Sequence, residues 1–116
     1  MEIFNFEKDM DGFLEDKIAV NCITEKDANC FLKILEDKYN LKWSDGENLS
    51  DYNNWGIYRE KTCYNKESGL YYASTRWYDD HNYKVLQYNN SEQKITIEEN
   101  VNVKQSKKRR IFILEE

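Results

Sequence analysis

A change of hydrophobic period near residue 23 is the feature that most constrains the fold of this chain. In residues 17–22, Ile18, Val20 and Cys22 recur at every second position and so share one face, which is typical of a β-strand. Thr24 then provides an N-cap, and the apolar residues after it recur at the spacing of one helical face up to Asn40, which suits a left-handed C-cap. The sequence therefore predicts a strand followed by an amphipathic helix over about 25–39.

The middle of the chain, residues 43–88, has an unusual density of aromatic rings. It contains all three tryptophans and eight of the nine tyrosines, and no proline interrupts it. Aromatic residues at this density form either a small core or an exposed recognition surface. The sequence favours the core for the tyrosines of predicted strands, and for Trp55 and Trp77 it leaves both possibilities open.

Local patterns divide this aromatic region further. Residues 62–64 and 70–74 predict a β-hairpin, because a five-residue connection ending in glycine joins them. Thr75 is a plausible cap for a short helix near 75–81, and residues 83–88 predict another strand. Residues 44–61 follow neither period and predict a long loop, a kind of segment that often carries function.

The flanks of this block are less regular. Phe6, Met10, Phe13 and Leu14 fall at helical spacing, although Gly12 weakens that pattern. A short strand at 41–43 is expected to return alongside the first strand. Alternation at Ile95 and Ile97, then at Val101 and Val103, and the apolar run from Ile111 to Leu114 predict two or three further strands.

These patterns together predict an α+β fold. We expect a small, mostly antiparallel sheet of four to six short strands, packed against one main helix with a second short helix near 75–81. The 116 residues suffice for one domain with one core. Residues 1–16 would form an acidic N-terminal flank, residues 17–90 the core block, and residues 91–116 a C-terminal β extension.

The charge is uneven along the chain. The net charge is -5, and acids exceed bases by five over residues 1–16 alone. The basic run Lys107 to Arg110 precedes the apolar run at Ile111, and it favours a solvated turn or a guarded edge strand over nucleic-acid binding. That edge is also compatible with a homodimer, so both a monomer and a homodimer are expected possibilities.

Other features point to a cytoplasmic protein without membrane contact. No apolar run approaches the roughly 18 residues of a membrane span, and the N-terminus lacks the features of a signal peptide. Three cysteines, an odd number, predict reduced and buried thiols.

No motif predicts catalysis, a cofactor or a metal site. The single histidine, His81, follows Asp79 and Asp80, an arrangement more typical of a solvated turn than of a proton-transfer or metal site. The four glycines are scattered, so no phosphate-binding loop is present. We therefore expect a protein that is not an enzyme.

Candidate partner-binding residues lie where aromatic rings alternate with acids. Tyrosine and tryptophan provide large, rigid contact areas, and the interleaved carboxylates suit a basic partner. The candidates are Asp51, Tyr52, Trp55, Tyr58, Trp77, Tyr78, Asp79 and Asp80.

The segment from Lys17 to Leu32, followed by Leu41-Lys-Trp43, Thr62-Cys-Tyr64, Leu70-Tyr-Tyr and Tyr83-Lys-Val-Leu, resembles a domain recurring in small proteins of phages and prophages of low-GC Gram-positive bacteria. The resemblance covers about residues 13–89 and involves packing and turn patterns, so no catalytic residue follows from it. It implies a phage or mobile-element setting, in which small acidic proteins often block host defences.

Three functions follow as expectations. The first is an inhibitor, resembling anti-CRISPR proteins, that binds an RNA-guided nuclease in the host cytosol and blocks its nucleic-acid site without binding nucleic acid itself. The second is a sponge for a cyclic-nucleotide defence signal. In it, the cationic side chains of Arg59, Lys61 and Arg76 would converge with the aromatic rings and hold the phosphate of the ligand. The third is a structural or regulatory phage protein with no role in defence.

Overall fold

The structure is a computed structural model, and it describes residues 2–90 together with the backbone of 107–108 and 110–111. In the latter part, Lys107–Lys108 and Arg110–Ile111 form a short antiparallel pair. The strands predicted around Ile95 and Val101, and most of the apolar run ending at Leu114, lie outside the described residues.

The described part is built from four α-helices and four longer strands. The helices are α1 (Phe6–Leu14), α2 (Glu25–Tyr39), α3 (Trp55–Tyr58) and α4 (Thr75–Asp80). The strands are β1 (Ile18–Asn21), β2 (Thr62–Lys66), β3 (Leu70–Ser74) and β4 (Lys84–Gln87), and the short pair near the C-terminus gives β5 and β6. Two single turns of 3-10 helix, Leu49–Asp51 and Arg59–Lys61, lie between α2 and β2. The predicted α+β class is confirmed.

The four longer strands form one mixed sheet in the order β3-β2-β1-β4. The β2–β3 hairpin is confirmed, with Cys63 opposite Ala73, and β2 is antiparallel to β1. The last strand, β4, runs parallel to β1, with Val20 opposite Leu86. Because β1 is central and covered on both sides, all four of its residues are buried.

The main helix begins and ends where its capping residues predict. The Thr24 hydroxyl accepts a hydrogen bond from the Asp27 backbone N–H at 3.1 Å, and Asn40 adopts the left-handed conformation at φ 57°. One face of α2, which includes Phe31 and Leu35, is completely buried. The capping residues and the apolar stripe therefore determine the same helix.

The larger core lies between α1, α2 and one face of the sheet, which we call the first face. Its centre is Phe31, whose ring lies 5.2–5.7 Å from those of Phe4, Phe13 and Tyr88. The N-terminal helix approaches β1 closely, because a Cβ atom at Gly12 would lie 2.6 Å from the Ile18 Cδ1 atom. A larger residue at position 12 would therefore require the Ile18 side chain to shift.

The opposite face of the sheet, the second face, has a much smaller cover. Its buried cluster consists of Ala19, Cys63 and Tyr78, with Ala73, Tyr83 and Val85 packed around it. The helix above it is α4, which has six residues. This face therefore leaves room for a surface groove.

Three local expectations need correction. The segment 41–43 does not return alongside β1, because Trp43 instead pairs with Leu70 at the outer edge of β3. The predicted long loop contains α3 and two 3-10 turns, although none of these exceeds four residues. The cap of α4 is Ser74, whose hydroxyl accepts a hydrogen bond from the Trp77 N–H at 3.3 Å, so Thr75 is the first helical residue.

Candidate functional site

The segment between α2 and β2 is fixed to the first-face core by side-chain hydrogen bonds. The Trp55 indole N–H donates to the Cys22 carbonyl at 2.9 Å, and the buried Tyr64 hydroxyl donates to the Asn53 carbonyl at 2.6 Å. The Ser50 N–H and hydroxyl both donate to the Glu36 carboxylate, each at 2.9 Å. These bonds lower the pKa of Glu36. Trp55 therefore anchors the segment to the core.

Tyr52 belongs to a small hollow beside β3, the Trp43 hollow. Its ring stacks on Trp43 with centroids 5.8 Å apart, and its hydroxyl donates to the Asp45 carboxylate at 3.0 Å. The hollow has a volume of about 250 Å³, and Tyr71 and Tyr72 form its wall on the side of β3. Partial burial, and then the hydrogen bond to Asp45, raises the pKa of Tyr52.

Helix α4 places its two aromatic residues in opposite environments. Tyr78 is fully buried against the second face, whereas the neighbouring Trp77 is 43% exposed. The His81 ring stacks on Trp77 at 3.8 Å, and its Nδ1 atom lies 2.7 Å from the Trp77 carbonyl oxygen. The only histidine is thus engaged with a tryptophan one helical turn earlier.

A groove of about 570 Å³ runs over the second face between α4 and the outer strand β3. We call it the aromatic groove. It is lined by Tyr58, Asn65, Glu67, Tyr71, Tyr72, Ala73, Trp77, Tyr78 and Tyr83. Three of the rings, those of Tyr58, Tyr71 and Trp77, are 40%, 39% and 43% exposed. Large rings exposed together in one concavity are typical of interaction sites.

A hydrogen-bond network forms the floor of the aromatic groove. The Tyr78 hydroxyl donates to the Asn65 side-chain oxygen at 2.5 Å, and the Asn65 amide donates to the Asp16 carboxylate at 2.9 Å. The Tyr83 hydroxyl also donates to Asp16, at 2.9 Å. This network joins β2, α4 and the turn after α1, so the shape of the floor is determined by residues far apart in the sequence.

Both floor tyrosines remain neutral over the physiological range of pH. Burial raises the pKa of Tyr78 well above its ordinary value. Desolvation, followed by the hydrogen bond to the Asp16 carboxylate, raises the pKa of Tyr83 to about 12. Their hydroxyl groups therefore keep their protons and remain donors within the network.

The eight candidate residues fall into four groups. Tyr58, Trp77 and Tyr78 come together in the aromatic groove, and Tyr52 lies in the neighbouring Trp43 hollow. Trp55 lines neither concavity. The three acids are exposed and lie outside both linings: Asp51, Asp79 and Asp80.

Six residues of the groove were not among the predicted site residues: Asn65, Glu67, Tyr71, Tyr72, Ala73 and Tyr83. Tyr71 was expected in the core with the other strand tyrosines, but it lies on the second face, opposite the buried Leu70 and Tyr64. Alternation along β3 separates Tyr71 from Leu70, so the opposite orientation of these two side chains was available from the sequence. The sparse covering of the second face could not be predicted from the sequence.

The cysteines do not form a reactive centre. Cys22 and Cys63 are buried as expected, whereas Cys30 is only partly buried. Desolvation raises the pKa of Cys22 and raises that of Cys63 to about 12, so both remain thiols. Within the described residues, no group of three or more His, Cys, Asp or Glu side chains is arranged to hold a metal ion.

Comparison with known proteins assigns no family. The chain matches no protein-family model, no curated protein and no solved structure. In the part of the chain that the structure describes, no helix combines the length and apolar character needed to cross a bilayer. The geometry of the aromatic groove is therefore the basis for the functional argument.

Proposed function

We propose that this protein is a non-enzymatic inhibitor, encoded by a phage or mobile element, that binds a host defence protein in the bacterial cytosol. The preferred target is an RNA-guided nuclease, whose nucleic-acid site the inhibitor would block. One observation carries the proposal: exposed rings and a carboxylate line the aromatic groove, and no Lys or Arg of the described residues joins them.

The charge of the groove distinguishes this proposal from a nucleotide sponge. A sponge needs cations beside the rings, because the phosphates of its ligand require them. Arg59, Lys61 and Arg76 are close in sequence to groove residues, yet none of them lines the groove or the Trp43 hollow. Glu67 is the charged residue of the groove lining, which supports a cationic partner.

The surroundings of the groove support the same kind of partner. Asp79 and Asp80 are exposed at the end of α4, next to Trp77, and the chain as a whole carries a net charge of -5. A nuclease site that holds nucleic acid is basic, so complementary charge would steer the two proteins together. The exposed rings would then supply most of the binding energy.

The test is inhibition of a purified, guide-loaded RNA-guided nuclease from a low-GC Gram-positive host. The protein is titrated against the nuclease and a fluorescent target duplex, and DNA binding is followed by anisotropy. We expect DNA binding and cleavage to fall with a stoichiometric end point, and added salt to weaken inhibition.

A matched pair of variants connects the result to the surface. Trp77→Ala is expected to weaken inhibition strongly, whereas Ile57→Ser, at a position that is 63% exposed and outside the groove, should inhibit like the parent. Unchanged DNA binding at a large excess of the protein would contradict the proposal for that nuclease. A cyclic nucleotide that co-purifies and is released by heating would instead support the sponge.

A further inference from the structure

The donor groups in the floor of the aromatic groove are already engaged with one another. The two amide hydrogens of Asn65 point to Asp16 at 2.9 Å and to the Tyr83 oxygen at 3.4 Å. The hydroxyl hydrogens of Tyr78 and Tyr83 go to Asn65 and Asp16. What the floor can still offer a ligand is an acceptor. The Tyr78 and Asn65 side chains are buried, but the half-buried Tyr83 hydroxyl oxygen has a second lone pair besides the one directed at the Asn65 amide.

One carboxylate lies in the lining of the groove and a second lies behind it. Glu67 is exposed in the lining, and within residues 2–90 it forms no salt bridge. Asp16 lies behind the floor, where it receives the hydrogen bonds from Asn65 and Tyr83. The groove lining therefore combines the Glu67 carboxylate and the Tyr83 hydroxyl oxygen with the rings of Tyr58, Tyr71 and Trp77.

We propose that the aromatic groove receives an arginine side chain from an exposed segment of the partner protein. The guanidinium group has five N–H donors and no acceptor, so it complements a floor whose own donors are occupied. Its planar face also stacks favourably on aromatic rings. This inference deepens the proposed function, since it names the chemistry by which the partner is recognised.

Other ligands fit the groove less well. A lysine ammonium is a compact, strongly hydrated charge that cannot use a planar ring surface as a guanidinium does. A nucleobase presents donors and acceptors together, and its phosphate would lie in a groove lined by Glu67 and by no described cation. The rings alone would accept a base, so the charge of the groove is what favours arginine.

The experiment uses the full chain and three short peptides in an otherwise identical Gly-Ser background, acetylated and amidated at the ends. One peptide carries two arginines, the second two lysines, and the third two citrullines, whose side chains have a similar shape without charge. Binding is followed by two-dimensional NMR of the indole and backbone amides. We expect saturable shifts at Trp77 and its neighbours with the arginine peptide, and at least about 5-fold weaker binding of the other two.

Variants then test the parts of the groove separately. We expect Tyr58→Ser and Glu67→Gln each to weaken binding of the arginine peptide by about 3- to 10-fold. The control Ile57→Ser removes an exposed apolar side chain next to Tyr58 but outside the lining, and should bind like the parent. Near-native amide spectra for every variant would exclude unfolding as the cause.

The outcomes separate this inference from the proposed function. Equal binding of the citrulline and arginine peptides, tighter binding of the lysine peptide, or saturable binding of a nucleotide at Trp77 would each overturn the arginine site. Because the peptides are tested without a nuclease, such a result leaves the inhibition assay as an independent measure of the proposed function. Conversely, arginine binding with no nuclease inhibition would support the site and contradict only that target.

Discussion

The two faces of the sheet differ in how they are covered and in what their side chains do. On the first face, α1 and α2 enclose a core in which Phe31 contacts rings from both ends of the described chain. On the second face, the short α4 covers a cluster of small residues and one buried tyrosine, Tyr78. Hydrogen bonds from tyrosine hydroxyls hold this second layer, and exposed rings surround it.

Under the proposed function, the first face contains the residues that stabilise the fold and the second face the residues that bind the partner. Burial of apolar area on the first face provides most of the stability, since that term scales with the area removed from water. The second face contributes less, and its exposed rings are unlike those of an ordinary surface. Substitutions on the two faces should therefore have separable effects on unfolding and on binding.

The largest effect is expected at the centre of the first face. Phe31→Ala should lower the free energy of unfolding by about 3–5 kcal/mol, because it removes a fully buried ring and leaves a cavity among its aromatic neighbours. Urea unfolding followed by circular dichroism measures the loss. If the variant were as stable as the parent, the first face would not be the main source of stability.

Trp55 and Trp77 are expected to differ in their contribution to the free energy of unfolding. Trp55→Ala should lower the free energy of unfolding by about 2–3 kcal/mol, because it removes packing and leaves the Cys22 carbonyl without the indole donor. Trp77→Ala should change it by about 1 kcal/mol or less, since that ring is largely exposed. Thermal melts of both variants provide the measurement, and the opposite order would place Trp77 in the structural layer.

The hydrogen-bonded floor of the second face predicts a smaller effect. Tyr78→Phe should lower the free energy of unfolding by about 1–2 kcal/mol, because the buried Asn65 oxygen loses its donor. The matched control is Tyr71→Phe, at an exposed ring, for which we expect a change within about 0.5 kcal/mol. Equal effects of the two changes would show that the floor network does not contribute to stability.

The smallest effect is expected at the hydrogen bonds from Ser50 to Glu36, which connect the 44–61 segment to α2. The two bonds from Ser50 favour the ionised form of Glu36, so its folded-state pKa lies below the ordinary value of 4.5. The stabilisation is therefore present above pH 4.5 and is lost as the pH falls through the folded-state pKa. The Tm of Glu36→Gln should be slightly lower than that of the parent at pH 7, and the two values should converge in acid. A difference in Tm between the variant and the parent that persisted at low pH would contradict this contribution of the Ser50–Glu36 hydrogen bonds.

Much of the fold could be predicted because its indications are local. The cap at Thr24, the left-handed Asn40 and the apolar stripe between them determine α2, and the glycine-ended turn determines the β2–β3 hairpin. The pairing of Trp43 with Leu70 and the parallel direction of β4 could not be predicted, since both depend on which edge of the sheet is vacant. Such choices are settled by long-range packing.

The candidate site, too, could be predicted only for those residues that have a local signal in the sequence. Tyr58, Trp77 and Tyr78 were selected for being aromatic and near acids, and the fold brings these three together. The role of Trp55 as an anchor depends on a hydrogen bond to Cys22, which is distant in sequence. Asp16 and Asn65, which organise the floor, have no distinctive local pattern, and their relation appears only when α1 and β2 are neighbours.

The parallel pairing of β1 with β4 has a consequence for how the chain is synthesised. The β2–β3 hairpin needs only a short loop to close, whereas β1 must wait for β4, with residues 22–83 between them. Until the ribosome has released β4, one edge of a strand whose residues are all buried in the finished protein stays unpaired. During translation, and in any chain that stops before β4, this apolar edge is open to pairing with other chains.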